Sequence, residues 1–110
     1  MITKKDLKNY LQMDAKLTRL EEKLTEINTV ELQEIYNQQW DALIDERVRI
    51  ETAIAKLSDP VECAILGYKY IDGLTWEQLC VKINYSWRQI HRIHASALKN
   101  IERIEKSSAD

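Results

Sequence analysis

Residues that break helices or shape turns are scarce in this sequence. Its 110 residues include two glycines, one proline and no phenylalanine, whereas 31% of them are charged. This composition is typical of an all-α chain rich in long, solvated helices. The length allows one modest domain, or a small domain with a helical extension.

Long apolar runs are also missing. No segment approaches the ~20 consecutive apolar residues of a membrane span. Lys4, Lys5, Asp6 and Lys8 interrupt the start, and no apolar core of a signal peptide follows them. We therefore expect a cytoplasmic protein that does not associate with membranes.

Cysteines are few and poorly placed for a metal site or a disulfide scaffold. Cys63 and Cys80 both fall inside helical patterns, and we expect them to be small buried apolar side chains. Together with His91 and His94 they give the spacing C-x16-C-x10-H-x2-H, which fits no zinc finger. A Gly-rich phosphate loop, paired catalytic carboxylates and an oriented Cys–His pair are all lacking. We expect no metal, no cofactor and no enzymatic activity.

Charge is distributed unevenly, although the net charge is only −2. Residues 1–60 carry a net charge of −3, and residues 61–110 a net charge of +1. Between Tyr85 and Ile101 there are three basic residues and no acidic one. A local basic stripe can dock on phosphates, but the non-specific affinity of a near-neutral protein should be modest.

Residues 1–57 predict a helical arm made of two successive amphipathic helices. Thr3 is a candidate N-cap of the first helix, and Asn28-Thr29 separates the two, with Asn28 suited to a left-handed conformation and Thr29 to an N-cap. Arg47 is the one polar interruption of the second apolar seam. Apolar positions follow alternating spacings of 3 and 4 in both helices: Tyr10, Met13, Leu17, Leu20, Leu24 and Ile27, then Tyr36, Trp40, Leu43, Ile50, Ile54 and Leu57.

Seams of this length are too short to hold a lone helix and must meet a partner. Two arrangements satisfy that requirement. The arm can fold back as an antiparallel helical hairpin, or it can form a coiled coil with a second copy of the chain.

Residues 58–106 predict three shorter helices, with residues 107–110 as a frayed tail. Pro60 favours the start of a helix, and Gly73 favours its end. A second short helix is expected to end near Ile83, and the last to run from Trp87 to about Glu105.

Two capping boxes mark the starts of the last two helices. Thr75 pairs with Gln78, and Ser86 pairs with Gln89, so the two N-caps lie eleven residues apart. Asn84 can adopt a positive φ in the turn between them. This register, with Leu79 and Ile83 facing Ile90 and Ile93, predicts a helix-turn-helix unit.

The last helix separates an apolar side from a basic one. Arg88, Arg92 and Lys99 fall almost opposite Ile90, Ile93, Ala97 and Ile101, and Ser96 lies beside the basic residues. A small residue on this face lets the helix approach a groove closely.

These motifs resemble region 4 of bacterial sigma factors, the helix-turn-helix module that reads a promoter element and touches RNA polymerase. The whole chain is similar to short phage and prophage proteins of sigma-region-4-like character, the late transcriptional regulators of the ArpU type. The residues that carry the resemblance are Leu57, Asp59-Pro60, Tyr70-Ile71, Gly73-Leu74-Thr75-Trp76, Leu79, Tyr85-Ser86, Gln89-Ile90, Arg92-Ile93-His94 and Ala97-Leu98.

The resemblance implies that the last helix enters the major groove with its N-terminal positions towards the bases. Carried onto this chain, those positions are Trp87, Arg88, Gln89, His91 and Arg92. Trp87 could contact a thymine methyl group or pack on the preceding helix, and His94 is expected to be structural.

Other positions are expected near the DNA backbone. Lys69 falls where the family has an arginine near a phosphate. Thr75 and Ser86 present helix N-termini, and Lys82 and Tyr85 flank the turn.

The resulting hypothesis is a phage-type, sequence-specific transcriptional regulator that binds double-stranded DNA. It would act as a homodimer through the helical arm or beside RNA polymerase. The alternative is an adaptor or inhibitor that binds RNA polymerase, a sigma factor or a repressor without binding DNA. The target sequence and the sign of regulation are left open.

Overall fold

The described chain is helical throughout in a computed structural model, which covers residues 2–108 and the side chains of residues 2–104. The predicted all-α class is confirmed, and no strand is found within residues 2–108. In order, the elements are α1 (Lys4–Glu26), α2 (Val30–Ala55), α3 (Pro60–Leu66), a π-helical segment (Gly67–Ile71), α4 (Trp76–Ile83) and α5 (Trp87–Ser108).

Helix starts follow local hydrogen bonding between side chain and backbone. The Thr3 hydroxyl accepts a hydrogen bond from the Asp6 amide, and the Asp6 carboxylate accepts one from the Thr3 amide. This reciprocal pair confirms Thr3 as the N-cap of α1. α3 begins at Pro60 because the Asp59 carboxylate accepts a hydrogen bond of 2.8 Å from the Val61 amide.

Helix ends agree less closely with the sequence patterns. Asn28 does not adopt the left-handed conformation, because α1 ends at Glu26 and the chain continues through Ile27 in extended backbone. Thr29 is the N-cap of α2 but makes no side-chain hydrogen bond there. α2 ends at Ala55, two residues before the expected end. α5 continues through Ser108, so the first half of the expected tail is helical, and residues 109–110 lie outside the described range.

α1 and α2 form an antiparallel hairpin within one chain. Arg47, the polar interruption of the α2 seam, donates from Nε to the Tyr10 hydroxyl at 2.9 Å and pairs with Asp14 at 2.8 Å. Tyr10 in turn donates to Glu51. The pairing of residue 10 with 51 and of residue 14 with 47 fixes both the direction and the register of the two helices.

The base of this hairpin and the C-terminal helices share one hydrophobic core. It joins the start of α1, the end of α2, the α3–π segment and α5, so the hairpin is packed into the remainder of the chain. Its buried members are Ile2, Leu7, Tyr10, Met13, Ile50, Ala53, Ile54, Leu57, Leu66, Tyr70, Ala97 and Ile101.

A smaller cluster holds α3, α4 and α5 together. Ile65, Leu79 and Ile90 are fully buried at its centre, with Ile83 and Ile93 packed against them. The predicted apposition of α4 with α5 is therefore present. The two cysteines are free and half-buried, Cys80 against this cluster and Cys63 against the larger core.

The far end of the hairpin is thinly packed. No side chain between residues 21 and 49 is buried, although the apolar seam continues through this part of both helices. The longest dimension of the protein is 53 Å, against a shortest of 18 Å. The far half of the hairpin therefore has only two-helix contact and leaves apolar side chains partly exposed.

Candidate nucleic-acid interface

Both predicted capping boxes are formed. The Thr75 hydroxyl accepts from the Gln78 amide at 3.2 Å and the Ser86 hydroxyl accepts from the Gln89 amide at 3.2 Å, while both glutamine side chains bond back to the N-cap amides. Between the two helices Asn84 has φ 62° and ψ 43°, as expected for a tight turn. α4 and α5 thus have fixed starts and a fixed connection.

The basic side of α5 is open to solvent. Arg88, Arg92 and Lys99 are exposed, and none of them forms an ion pair or hydrogen bond with another residue of the described range. Arg88 and Arg92 are one turn apart and point to the same side of the helix. Two guanidinium groups are therefore free to bind an anionic or hydrogen-bonding ligand.

Gln89 is less free than the sequence suggests. Its Oε1 accepts a hydrogen bond of 3.0 Å from the Ser86 amide, so only the amide NH₂ group is left to donate. A bidentate contact with adenine requires both the oxygen and the nitrogen of the side-chain amide. Gln89 would have to give up its cap to make that contact.

An aromatic cluster covers the start of α5. The Trp76 ring lies 4.3 Å from the His91 ring, and the Trp87 ring lies 4.6 Å from it. His91 is therefore in contact with two indoles that also touch each other, and its buried Nε2 has no hydrogen-bond partner in the described range. This position is unlike the free side chain that the sequence predicts for a DNA contact.

Trp87 packs on the preceding helix, which is one of the two alternatives that the sequence left open. Its ring packs edge-on against Trp76 at 6.4 Å, yet 52% of the residue is exposed. Packing on the preceding helix holds the indole in place, and the exposed part lies at the first position of α5. An apolar contact with a base is sterically open to it.

Besides the cap residue Thr75, four residues around α4 were expected near the DNA backbone: Lys69, Lys82, Tyr85 and Ser86. Lys69 is half-buried: its Nζ lies 4.6 Å from the centre of the Trp76 ring and donates to the Leu74 carbonyl at 3.4 Å. Lys82 is exposed, with its Nζ 5.6 Å from the Tyr68 ring. Tyr85 packs in the smaller core cluster, whereas Ser86 stays exposed as the cap of α5.

The Ser96 hydroxyl is hydrogen-bonded within the protein. Its hydroxyl donates to the Glu62 carboxylate at 2.9 Å, and the Asn100 side-chain amide donates to the same carboxylate at 2.7 Å. Glu62 is buried at the start of α3 and fastens α5 to it. Sequence periodicity missed this clamp, because a lone glutamate on a helix is normally solvated.

His94 is structural, as expected. It is only 5% exposed and shares a hydrogen bond of 2.6 Å with the Tyr70 hydroxyl. Burial, with the positive charges of Lys4, His91 and Lys69 nearby, lowers the pKa of His94 to about 4. The imidazole is therefore neutral at physiological pH and adds no charge to the interface.

Two further kinds of site were searched for. Within the described residues, no group of three or more His, Cys, Asp or Glu side chains could hold a metal ion. None of the helices in that range combines the length and the apolar content that a bilayer span requires.

The sequence matches a known protein family. Residues 20–102 match the family described as "Protein of unknown function (DUF1492)". The chain belongs to the DUF1492 family. No curated protein and no solved structure matched it.

The DUF1492 match covers most of the hairpin and all of α3, the π segment and α4. It extends into α5 as far as residue 102, and residues 1–19 lie before it. The family description states no function, so the likeness to sigma region 4 rests on the residues themselves.

Proposed function

We propose that this protein is a phage-type transcriptional regulator that binds double-stranded DNA in a sequence-specific way through the N-terminal half of α5. The observation that carries the proposal is the pair of unpartnered arginines, Arg88 and Arg92, at the start of a helix held in helix-turn-helix register. Both capping boxes and the left-handed Asn84 support that register.

The chemistry of this face suits a major groove. A single α-helix fits the width of the groove, and guanidinium groups can grip guanine O6 and N7 with two hydrogen bonds. Between Tyr85 and Ile101 there is no acidic residue to repel the phosphates. Lys82, Lys99 and the N-termini at Thr75 and Ser86 would lie towards the backbone.

A single copy offers few phosphate contacts. Each neutralised phosphate contributes about 0.9 to the slope of log K against log salt, and the whole chain has a net charge of −2. Useful affinity at physiological salt therefore requires a second copy or RNA polymerase beside it. The proposal implies a cytoplasmic location and involves no catalysis.

We infer that the second copy binds at the far half of the hairpin. Leu32 and Ile35 are exposed there, near the start of the apolar seam of α2. Exposed apolar side chains beside a heptad seam are typical of an intermolecular helix contact. Sedimentation of the full chain should give a dimer mass, and Leu32→Glu/Ile35→Glu should give the monomer mass.

Val48 provides the control for this dimer. It is exposed like Ile35 but lies on a different side of α2. Val48→Glu should leave the dimer intact. A monomer mass for the wild-type chain, or equal effects of all these substitutions, would contradict dimerisation through the far hairpin.

One observation favours a protein partner as a second candidate function. Val81 is 83% exposed on α4 and lines a shallow surface with Leu74, Gln78 and Lys82. An adaptor that contacts RNA polymerase or a sigma factor there would need no DNA. A gel shift at low salt separates the two candidates, because a pure adaptor forms no DNA complex.

The DNA proposal is tested with duplexes enriched from a randomised pool by the wild-type chain. Arg88→Ala/Arg92→Ala should lose at least about fivefold in affinity per arginine, since a good bidentate base contact contributes about 1–3 kcal/mol. Stability should change by less than about 0.5 kcal/mol, because both side chains are exposed.

A charge-matched variant completes the design. Lys16→Ala/Arg19→Ala removes two exposed positive charges from α1 and should keep the sequence preference of the wild type. Enrichment of the same sequences by Arg88→Ala/Arg92→Ala with unchanged affinity would contradict the assignment of α5.

A further inference from the structure

The start of α1 and the π-helical segment enclose a basic cavity beside the helix-turn-helix unit. Its volume is about 370 Å³, and Lys4, Lys8, Leu11, Lys69, Tyr70 and Trp76 line it. Three of the six lining residues are lysines and none is acidic. We propose that Lys4 and Lys8 of the hairpin, together with Lys69, bind a phosphodiester of the DNA backbone in this cavity. The inference rests on the proposed function, and it gives the arm a direct part in binding.

The lysine charges at the cavity are not neutralised within the protein. Lys4 and Lys8 are exposed and lie one turn apart on α1, so their ammonium groups point the same way. No carboxylate in the described range forms an ion pair with Lys4, Lys8 or Lys69. An anion that entered would therefore meet three ammonium groups without displacing an existing ion pair.

Lys69 is held in position, whereas the α1 lysines are free. Its ammonium group lies over the Trp76 ring and donates to the Leu74 carbonyl. Its other protons can still be donated, because an ammonium group has three. The fixed Lys69 and the free Lys4 and Lys8 can together adapt to a tetrahedral phosphate. Lysine binds a phosphate as a point charge.

The charges of two cavity lysines act on a buried group that touches the cavity lining. His94 hydrogen-bonds to Tyr70 and meets the Trp76 ring edge-on, and both partners line the cavity. Lys4 and Lys69 each help to lower the pKa of His94. The ammonium groups of Lys4 and Lys69 are thus near enough to act together on one group.

Continuity with α5 favours DNA backbone as the occupant. Trp76 lines the cavity and also contacts His91 and Trp87 at the start of α5. A duplex whose major groove receives that end of α5 has its phosphates along the flank. Protein–DNA contacts of this kind fix register and add affinity without reading sequence.

The test compares two charge-matched variants of the full chain on the same enriched duplex. Lys4→Gln/Lys8→Gln removes the cavity lysines of α1, and Lys5→Gln/Lys16→Gln removes two other exposed lysines of α1. The first variant should reduce the slope of log K against log salt by about 1, at about 0.9 per phosphate, with sequence preference unchanged. The second should reproduce the wild-type slope.

Neutral backbone linkages locate the contact. Duplexes with one methylphosphonate at a time should weaken wild-type binding at one or two positions, and Lys4→Gln/Lys8→Gln should be insensitive at those same positions. Wild-type slope and methylphosphonate sensitivity in that variant would overturn the cavity assignment while leaving recognition by Arg88 and Arg92 intact. Absence of any duplex complex with the wild-type chain at low salt would overturn both proposals.

Discussion

At the scale of single residues, the two histidines of α5 have different surroundings despite lying three positions apart. His94 is buried against Tyr70 and close to the positive charges of Lys4 and Lys69, whereas His91 contacts two tryptophan rings. Because the folded pKa of His94 is about 4, below the usual 6.5, folding resists its protonation.

This pKa predicts the direction of a pH effect on stability. The unfolded chain takes up a proton at His94 below about pH 6.5, whereas the folded chain does so only near pH 4. The contribution of neutral His94 to the free energy of unfolding is therefore complete above pH 6.5, and it is lost as the pH falls towards 4. Between pH 7.5 and pH 5 the free energy of unfolding should drop by on the order of 2 kcal/mol from this group.

Urea unfolding of the wild type and of His94→Gln at the two pH values measures the effect. Glutamine can still bond to Tyr70 but does not titrate, so the drop should shrink in the variant by about that amount. All other residues are the same in the two proteins, so the difference between the two drops reports on position 94. An equal drop in the two proteins would show that His94 is not the group responsible.

Residue-level prediction from sequence succeeded where the interaction spans three or four positions. Thr3, Thr75 and Ser86 were predicted as caps from the residue three positions later, and each of them caps its helix. Asn28 and Asn84 show the limit of this reasoning. Both asparagines tolerate a left-handed conformation, but only the tight turn at Asn84 requires one, and the path of the chain decides between them.

Long-range contacts could not be predicted in this way. The clamp between Glu62, Ser96 and Asn100 joins residues more than thirty positions apart. The contact of His91 with Trp76 also depends on how α4 meets α5. Ser96 and His91 were therefore predicted as free DNA contacts, although the fold gives each of them partners within the protein.

At the scale of elements, a polar network joins α1 to α2 in the middle of their apolar contact. Its members are Tyr10, Asp14, Arg47 and Glu51. Burial and the hydrogen bond to Glu51 raise the pKa of Tyr10, so its phenol stays protonated and can donate to Glu51 while it accepts from Arg47. Arg47 interrupts the apolar period because it completes this network. Periodicity placed Arg47 on the inner face, but its partners become visible only in the folded hairpin.

Tyr10→Phe isolates the contribution of this network. The buried ring is kept and the hydroxyl is lost, so the free energy of unfolding should fall by about 1–2 kcal/mol. Tyr36→Phe is the matched control on the same hairpin, since the Tyr36 hydroxyl has no hydrogen bond in the described range. Chemical unfolding at neutral pH measures both, and equal losses would argue against a specific role for the network.

The π-helical segment is the element that sequence periodicity did not predict. Residues 60–72 were expected to be one regular helix ending at Gly73, and Gly73 does end it with φ +75°. Within it, the Asp72 amide bonds to the Gly67 carbonyl, and the Leu74 amide bonds to the Tyr68 carbonyl. This wider turn carries Lys69 and Tyr70, both of which line the basic cavity.

At the scale of the whole molecule, the hairpin and the C-terminal helices are joined by a common core. Tyr10 and Ile54 of the hairpin belong to the same buried cluster as Tyr70 and Ile101. The sequence predicted an arm and a three-helix module correctly as helical parts, but their packing depends on contacts between distant segments. The start of α1 is thereby held beside the predicted DNA-binding face.

Recognition of DNA by α5 is tested most directly by mapping backbone amide chemical shifts of the full, isotope-labelled chain against an enriched duplex. The largest changes should fall on residues 86–92, with a second set at the start of α1 and at Lys69. In Arg88→Ala/Arg92→Ala the first set should disappear. Changes confined to α2, or no change at low salt, would contradict DNA recognition by this helix.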